Sequence, residues 1–219
     1  MKREIHLAGG CFWGLEEYLA NLPGVLETEA GYANGRTGHP SYEQVCHEDT
    51  GHAETVRVVY DADKLGLAFL LERYFEVIDP TARNRQGGDA GRQYRTGIYY
   101  TDAEDQAIAQ RALDALQQGY PKPVAIELMP LNNYCRAEEY HQRYLRKNPH
   151  GYCHIPQGRF EAAKSAHDPG KTYTRKTDEE LSRILTPEQF AVTRKNATEP
   201  PFRGALTDEH RQGIYVDIT

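Results

Sequence analysis

The chain has 219 residues, 39% of them hydrophobic and 26% charged, with 26 Lys/Arg against 32 Asp/Glu for a formal charge of −6. This is enough for one well-cored domain plus part of another, and it excludes a disulfide-stapled miniprotein. No stretch approaches the ~18 apolar residues of a membrane span, and no basic stripe is available to neutralise phosphates, which sets aside membrane proteins and nucleic-acid binders.

The first ten residues enter a strand-like alternation without an apolar core of signal-peptide length, so the expected compartment is the cytoplasm. Glu4 to Ala8 reads as a strand and Gly9-Gly10 as a tight turn. Cys11 to Leu22 reads as a helix with Phe12, Leu15, Leu19 and Leu22 on one face, stopped by Pro23-Gly24. Val25 to Ala30 is a second strand, followed by a Gly-rich loop. Glu54 to Tyr60 is a third strand, with Val56, Val58 and Tyr60 on one face. Leu67, Leu70, Leu71, Tyr74, Phe75 and Ile78 form one apolar face of a helix that ends at Asp79-Pro80.

Thr96 to Tyr100 is the next strand. Thr101-x-x-Glu104 is a capping box opening a helix that closes near Gly119, and Val124, Ile126 and Leu128 alternate as a last strand. The expected fold is α+β: a two-layer, ferredoxin-like sandwich of helices on a mixed, mostly antiparallel sheet, plus a C-terminal extension. Two long irregular segments, residues 31–52 and 79–95, are expected to wall a site.

Charge and cysteine divide the chain at the same place. Residues 1–154 hold 16 Lys/Arg against 22 Asp/Glu, and residues 155–219 hold 10 against 10. Cys11, Cys46, Cys135 and Cys153 all fall in the first part, with no C-x-x-C pair and no zinc-ligand spacing. They are therefore buried structural thiols or reactive ones.

Cys11 is the most informative of the four. The Gly9-Gly10 turn sets it at a helix N-terminus, where free N–H groups and the helix dipole favour a thiolate. Beside it, Phe12 and Trp13, the only tryptophan, offer aromatic faces to a small apolar group such as an S-methyl. The alternative is a buried cysteine packing as a small hydrophobe.

These residues resemble a family. Gly10-Cys11-Phe12-Trp13-Gly14 is identical to the signature of the A-type peptide methionine sulfoxide reductases. Five further blocks look like that family's and stand in its order: Tyr42-Glu43-Gln44-Val45-Cys46; Gly51-His52-Ala53-Glu54; Asp79-Pro80-Thr81; residues 87–95, with Asp89 and Tyr94; and residues 137–142, Ala-Glu-Glu-Tyr-His-Gln. The likeness covers about residues 3–155.

The resemblance implies an enzyme, a peptide-methionine (S)-S-oxide reductase. Cys11 would attack the sulfoxide sulfur, release methionine and become a sulfenic acid. Glu54 would be the acid that protonates the oxygen, since a carboxyl beside aromatic rings can keep its proton near neutral pH. Tyr42 and Tyr94 would hydrogen-bond the oxygen, with Asp89 in the same cluster, and Phe12 and Trp13 would hold the S-methyl group. Cys153, in the Pro149-His150-Gly151-Tyr152-Cys153 segment, resembles the family's resolving cysteine. A transient Cys11–Cys153 disulfide would then be reduced by thioredoxin or a similar dithiol. No bound cofactor or metal is implied, and the expected state is a monomer acting on free or protein-bound methionine sulfoxide.

Rival readings are a Cys-dependent thiol peroxidase or acyl transferase, and a non-catalytic methionine sulfoxide binding module. Glu138-x-x-His141 is one half of a di-iron carboxylate pattern, but the second half and the bundle helices are missing from the sequence. His141 reads better as a hydrogen-bonding group on a helix behind the site. Cys46 reads as a partly buried thiol, and Cys135 departs from the family pattern.

Residues 156–184 read as a linker ending in a short helix near Asp178 to Ile184. Leu185 to Thr193, Asn196 to Phe202 and Gly213 to Asp217 resemble the opening of a B-type methionine sulfoxide reductase. Residues 185–219 are therefore expected to be an incomplete B-type domain, inert because no cysteine follows Cys153. The expected division is 1–155 for the reductase domain, 156–184 for the linker and 185–219 for the fragment.

Overall fold

The computed structural model describes residues 1–171, 176–195 and 197–198. They fall in two units, Met1–Lys171 and Thr172–Thr219. The first contains, in chain order, β1 (Lys2–Gly9), α1 (Phe12–Ala20), β2 (Val25–Ala33), α2 (Tyr42–His47), β3 (Ala53–Asp61), α3 (Leu67–Phe75), the two-residue strands β4 (Arg85–Gln86) and β5 (Asp89–Ala90), a 3-10 turn (Arg92–Tyr94), β6 (Thr96–Tyr100), α4 (Ala103–Gln118), β7 (Glu127–Pro130), β8 (Tyr134–Arg136), α5 (Tyr144–Lys147) and α6 (Gln157–Lys164). The second contains α7 (Asp178–Ile184) and α8 (Pro187–Lys195).

Six strands form one sheet in the order β7-β6-β1-β3-β2-β8, antiparallel at every junction except β6–β7. Period-2 alternation sorts its two faces. Ile5 and Leu7 of β1, Val56, Val58 and Tyr60 of β3, and Ile98 of β6 join one buried core with Leu15 and Leu19 of α1, Leu70, Leu71 and Tyr74 of α3, and Ala109 and Leu113 of α4. The opposite face carries Glu4 and Arg57, whose guanidinium pairs with Glu4 at 2.6 Å and Glu27 at 2.9 Å. The helical layer therefore covers one side, as expected for α+β.

Several boundaries differ from the sequence reading, each for a local reason. β2 runs on to Ala33 because Gly31, Tyr32 and Ala33 pair with Thr55, Glu54 and Ala53. The following loop contains α2, whose N-terminus is closed by a capping box of Ser41 and Gln44. α4 is capped by Asp102, not Thr101: the Asp102 carboxylate accepts from Asp105 N at 2.9 Å, while Glu104 is drawn to Arg3 at 2.6 Å. β7 starts at Glu127 because the preceding chain bonds elsewhere, Val124 N to Gln117 Oε1 and Ala125 N to the Pro80 carbonyl.

The segment 137–142 is a set of turns, not the expected helix. Gln142 explains it by finishing the sheet edge with its side chain. Its Oε1 accepts from Ala30 N at 2.9 Å, and its Nε2 donates to the carbonyls of Ala30 and Ala137. Within the stretch read as linker, α6 seals the core with Phe160 and Ala163. In the second unit α7 occupies the expected span, with Thr177 and Glu180 as its capping box, and Arg194 of α8 donates to Asp178 at 2.7 Å. Of the blocks that resemble a B-type reductase, residues 199–202 and 213–217 lie outside the described residues. Among the described residues no helix is long and apolar enough to cross a membrane.

Candidate active site

β1 delivers the chain to the site. Its last residue, Gly9, is followed by Gly10 at φ +81°, a conformation that L side chains rarely adopt, and the chain reverses into α1 with Cys11 as N-cap. Cys11 is 8% exposed. Burial, then the nearby charge of Glu54, push its thiol well above the ordinary cysteine range, and the facing Trp13 amide offsets only part of this. The thiolate expected from the helix dipole is thus outweighed by desolvation, and the resting sulfur carries its proton.

Glu54 is the second residue of β3, 1% exposed, with Oε2 accepting from Phe12 N at 3.0 Å. Desolvation pushes its carboxyl up to about 8, against the Phe12 hydrogen bond and with a smaller push from Asp89. Near neutral pH it is a buried, protonated acid beside the sulfur.

Two further walls converge on this pair. Tyr42 opens α2, and Tyr94 closes the 3-10 turn. Burial, with Glu54 among the further causes, raises both phenols above their usual range, so both are hydrogen-bond donors at neutral pH. Asp89, in the β4–β5 hairpin, lies close enough to act electrostatically on Cys11, Glu54, Tyr94 and Cys153. The hairpin is braced by Gln86, whose side-chain amide bonds the backbone of Asp79 in both directions at 2.7 and 2.8 Å. Gln86 thus ties the two ends of residues 79–86 together despite their irregular path.

Phe12 and Trp13 lie in the first turn of α1. Trp13 stacks on Tyr144 at 3.8 Å and 13°, and its Nε1–H donates to His141 Nδ1 at 2.9 Å. His141 is the hydrogen-bonding group expected from sequence, although it sits on a turn rather than a helix. The bond requires an unprotonated Nδ1, and burial holds the imidazole pKa below its usual value.

Glu138 is a site-building residue that sequence reasoning missed. Its Oε1 accepts from Tyr42 N and its Oε2 from the Tyr32 hydroxyl, both at 2.8 Å. Burial opposes its charge, but these bonds win and hold the carboxyl below its usual range. Its signals in the sequence are its place within the 137–142 block and the Glu138-x-x-His141 spacing, which sequence reasoning weighs only as half of a metal site. Tyr152 was also missed; its hydroxyl donates to Asp89 Oδ2 at 3.1 Å.

Cys153 is half-buried, with Ile155 N donating to its sulfur at 3.4 Å, and it is near enough to contribute to the raised pKa of Cys11. All four cysteines are free thiols. Cys46 lies beside the Tyr42 hydroxyl and lines a cavity of about 270 Å³ with His52 and Arg92. Cys135 belongs to β8, at the sheet edge. Among the described residues no cluster of His, Cys, Asp or Glu is arranged to hold a metal ion.

Residues 3–172 match the family model for peptide methionine sulfoxide reductase, and residues 185–219 match the SelR domain. The chain is 56% identical over 166 residues to the peptide methionine sulfoxide reductase MsrA of Lachnoclostridium phytofermentans, covering 76% of this chain and all of that one. Among solved structures it is similar to reduced Mxr1 of Saccharomyces cerevisiae, with 36% identity and a TM-score of 0.66 over 69% of this chain and 88% of that one. Methionine sulfoxide reductase A of Corynebacterium diphtheriae gives 36% identity and a TM-score of 0.66, over 71% of this chain and 84% of its own. The chain belongs to the peptide methionine sulfoxide reductase family, and its reaction is the thiol-dependent reduction of methionine sulfoxide.

Proposed function

We propose that Cys11, Glu54, Tyr42, Tyr94, Asp89 and Cys153 carry out this reduction on the S epimer, with Phe12 and Trp13 holding the S-methyl group. The observation that carries the reading is the buried, protonated Glu54 beside the Cys11 sulfur. A sulfoxide oxygen leaves only once protonated, and a carboxyl that titrates at about 8 keeps its proton at neutral pH while remaining a strong enough acid to give it up. The two phenols donate hydrogen bonds to the same oxygen, and the Trp13 face, fixed by Tyr144 and His141, packs against the methyl.

In the step itself the Cys11 sulfur bonds to the sulfoxide sulfur while Glu54 protonates the oxygen. The oxygen then passes to Cys11 as its S–OH, methionine leaves, and the proton released by the Cys11 thiol restores Glu54. Cys153 attacks the sulfenic acid, forming the Cys11–Cys153 disulfide and releasing water. An external dithiol, thioredoxin by the family's chemistry, returns both thiols. This cycle needs no bound cofactor.

The fold supports a ferredoxin-like reading of the core. β1-α1-β2 and β3-α3-β6 are two crossover units interleaved in the order β6-β1-β3-β2. For the domain division we infer a reductase domain over 1–155, a linker over 156–184 whose first part, α6, packs on the core of that domain, and a B-type fragment from 185 that takes no part in this chemistry.

Peptide mapping after one turnover on methionine S-sulfoxide, without reductant, tests the assignment. The expected product is a single Cys11–Cys153 link with Cys46 and Cys135 still free. A Cys11–Cys46 or Cys11–Cys135 link would overturn it.

A further inference from the structure

We propose that Gly14 is the seat of the resolving thiol, a positioning residue whose missing side chain leaves a notch on α1 in which the Cys153 sulfur rests within reach of Cys11. The inference rests on Cys153 being the resolving cysteine.

The notch is visible in the packing. A β-carbon built on Gly14 would lie 2.7 Å from Cys153 Sγ and 3.4 Å from Ile155 Cδ1, so the sulfur already occupies the volume that any other residue would fill. Position 14 is the third residue of α1, with φ negative, so nothing in the backbone demands glycine there. Helix propensity favours alanine at such a position, and the glycine acts against it. The local sequence therefore gives up helix stability to let the sulfur in.

The position of the notch explains its use. Residues three apart in a helix share a face, with β-carbons about 5–6 Å apart. Gly14 stands three residues after Cys11, and the Cys153 sulfur that rests where its β-carbon would be is near enough to Cys11 to add to its raised pKa. The segment around Cys153 is held there at both ends. Tyr152 donates to Asp89 at 3.1 Å, the Cys153 sulfur bonds the Ile155 backbone, and His154 packs against Gly10 and Gly87. The segment is thus docked on the site before any sulfenic acid forms. When it does, the Cys153 sulfur bonds to the Cys11 sulfur, the Cys11 S–O bond breaks, and the thiol proton leaves with the hydroxide as water.

The test is Gly14→Ala, compared with Cys153→Ser, with Cys153→Ala and with the double variant of Gly14→Ala and Cys153→Ala. Two quantities are followed after mixing with excess methionine S-sulfoxide in the absence of reductant: methionine released in the first turnover, and the sulfenic acid on Cys11, trapped by a cyclic diketone and counted by mass. In Gly14→Ala the first turnover should keep its rate while the sulfenic acid decays on the order of tenfold to a hundredfold more slowly, as expected when a docked nucleophile is displaced by about an ångström. Decay at the parental rate overturns the proposal.

If Gly14→Ala also slows the first turnover, the double variant decides. That double variant carries Cys153→Ala, which empties the notch as serine would not. A first turnover equal to that of Cys153→Ala alone shows that the added methyl acts through the Cys153 sulfur, whereas a slower one shows that it acts on the fold and overturns the proposal. Cys153→Ser is the separate check on the resolving role: persistence of its sulfenic acid keeps that reading, and its disappearance at the parental rate removes it.

Discussion

Cys11→Ser is expected to abolish reduction of methyl sulfoxides while leaving the fold intact. Cys11 is the N-cap of α1 and makes no side-chain capping bond there. Serine is among the preferred residues at that position, and its hydroxyl can accept from the free amides of the first turn. The variant should therefore be at least as stable as the parent. The lost function is specific: a serine hydroxyl is a far weaker nucleophile and has no counterpart of the sulfenic acid. Methionine production with excess dithiothreitol, read beside the thermal midpoint, checks both halves. Undiminished turnover would remove Cys11 from the mechanism.

Glu54→Gln should slow the reduction step by about 10²–10⁴-fold, the range expected for losing a general acid. The side chain keeps its size and can still accept from Phe12 N, but it has no proton to give. The same substitution should change the pH dependence of both activity and stability. In the parent the carboxyl titrates at about 8 in place of its ordinary value of 4.5, because burial penalises its charge. Activity in the reduction step should therefore fall as pH rises through about 8, and this limb should vanish in the variant.

For stability the sign follows from proton counting. Between the unfolded and folded pKa values the folded chain holds a proton that the unfolded chain has released, so stability falls as pH rises across that window. The contribution is fully present below the unfolded value and lost on passing through the folded one. Glutamine has no such cost, so Glu54→Gln should be more stable than the parent at pH 8 by denaturant titration and should show a smaller loss between pH 5 and pH 8. A parent whose rate is flat through pH 8 would show that Glu54 is not the acid.

The fold was legible wherever a single periodicity governed the segment. β6 lies at its expected residues, and the faces read from α1, α3 and β3 are the ones that build the core. Legibility failed where a side chain stood in for backbone. Gln142 completes the sheet edge through its amide, so the 137–142 block reads as helical in sequence and folds as turns. Asp102 caps α4 in place of Thr101, and Arg3, far away in sequence, pairs with Asp102, Glu104 and Asp105 together.

The site was legible through its motif blocks rather than through residue chemistry alone. What the blocks do not state is the support behind them: Glu138 on the Tyr42 backbone, His141 and Tyr144 on Trp13, Tyr152 on Asp89. Each depends on two segments meeting in space. The protonation of Cys11 was also invisible from local sequence. The helix N-terminus argues for a thiolate, and only the burial around the sulfur reverses that.

The test that bears most on Cys11 and its surroundings uses the two epimers of a methyl sulfoxide, separated and supplied one at a time to the chain of residues 1–219 with dithiothreitol. A single site built on Cys11, followed by a B-type fragment without a cysteine, predicts methionine from the S epimer and none from the R epimer. Equal reduction of both, or reduction of the R epimer alone, would contradict it.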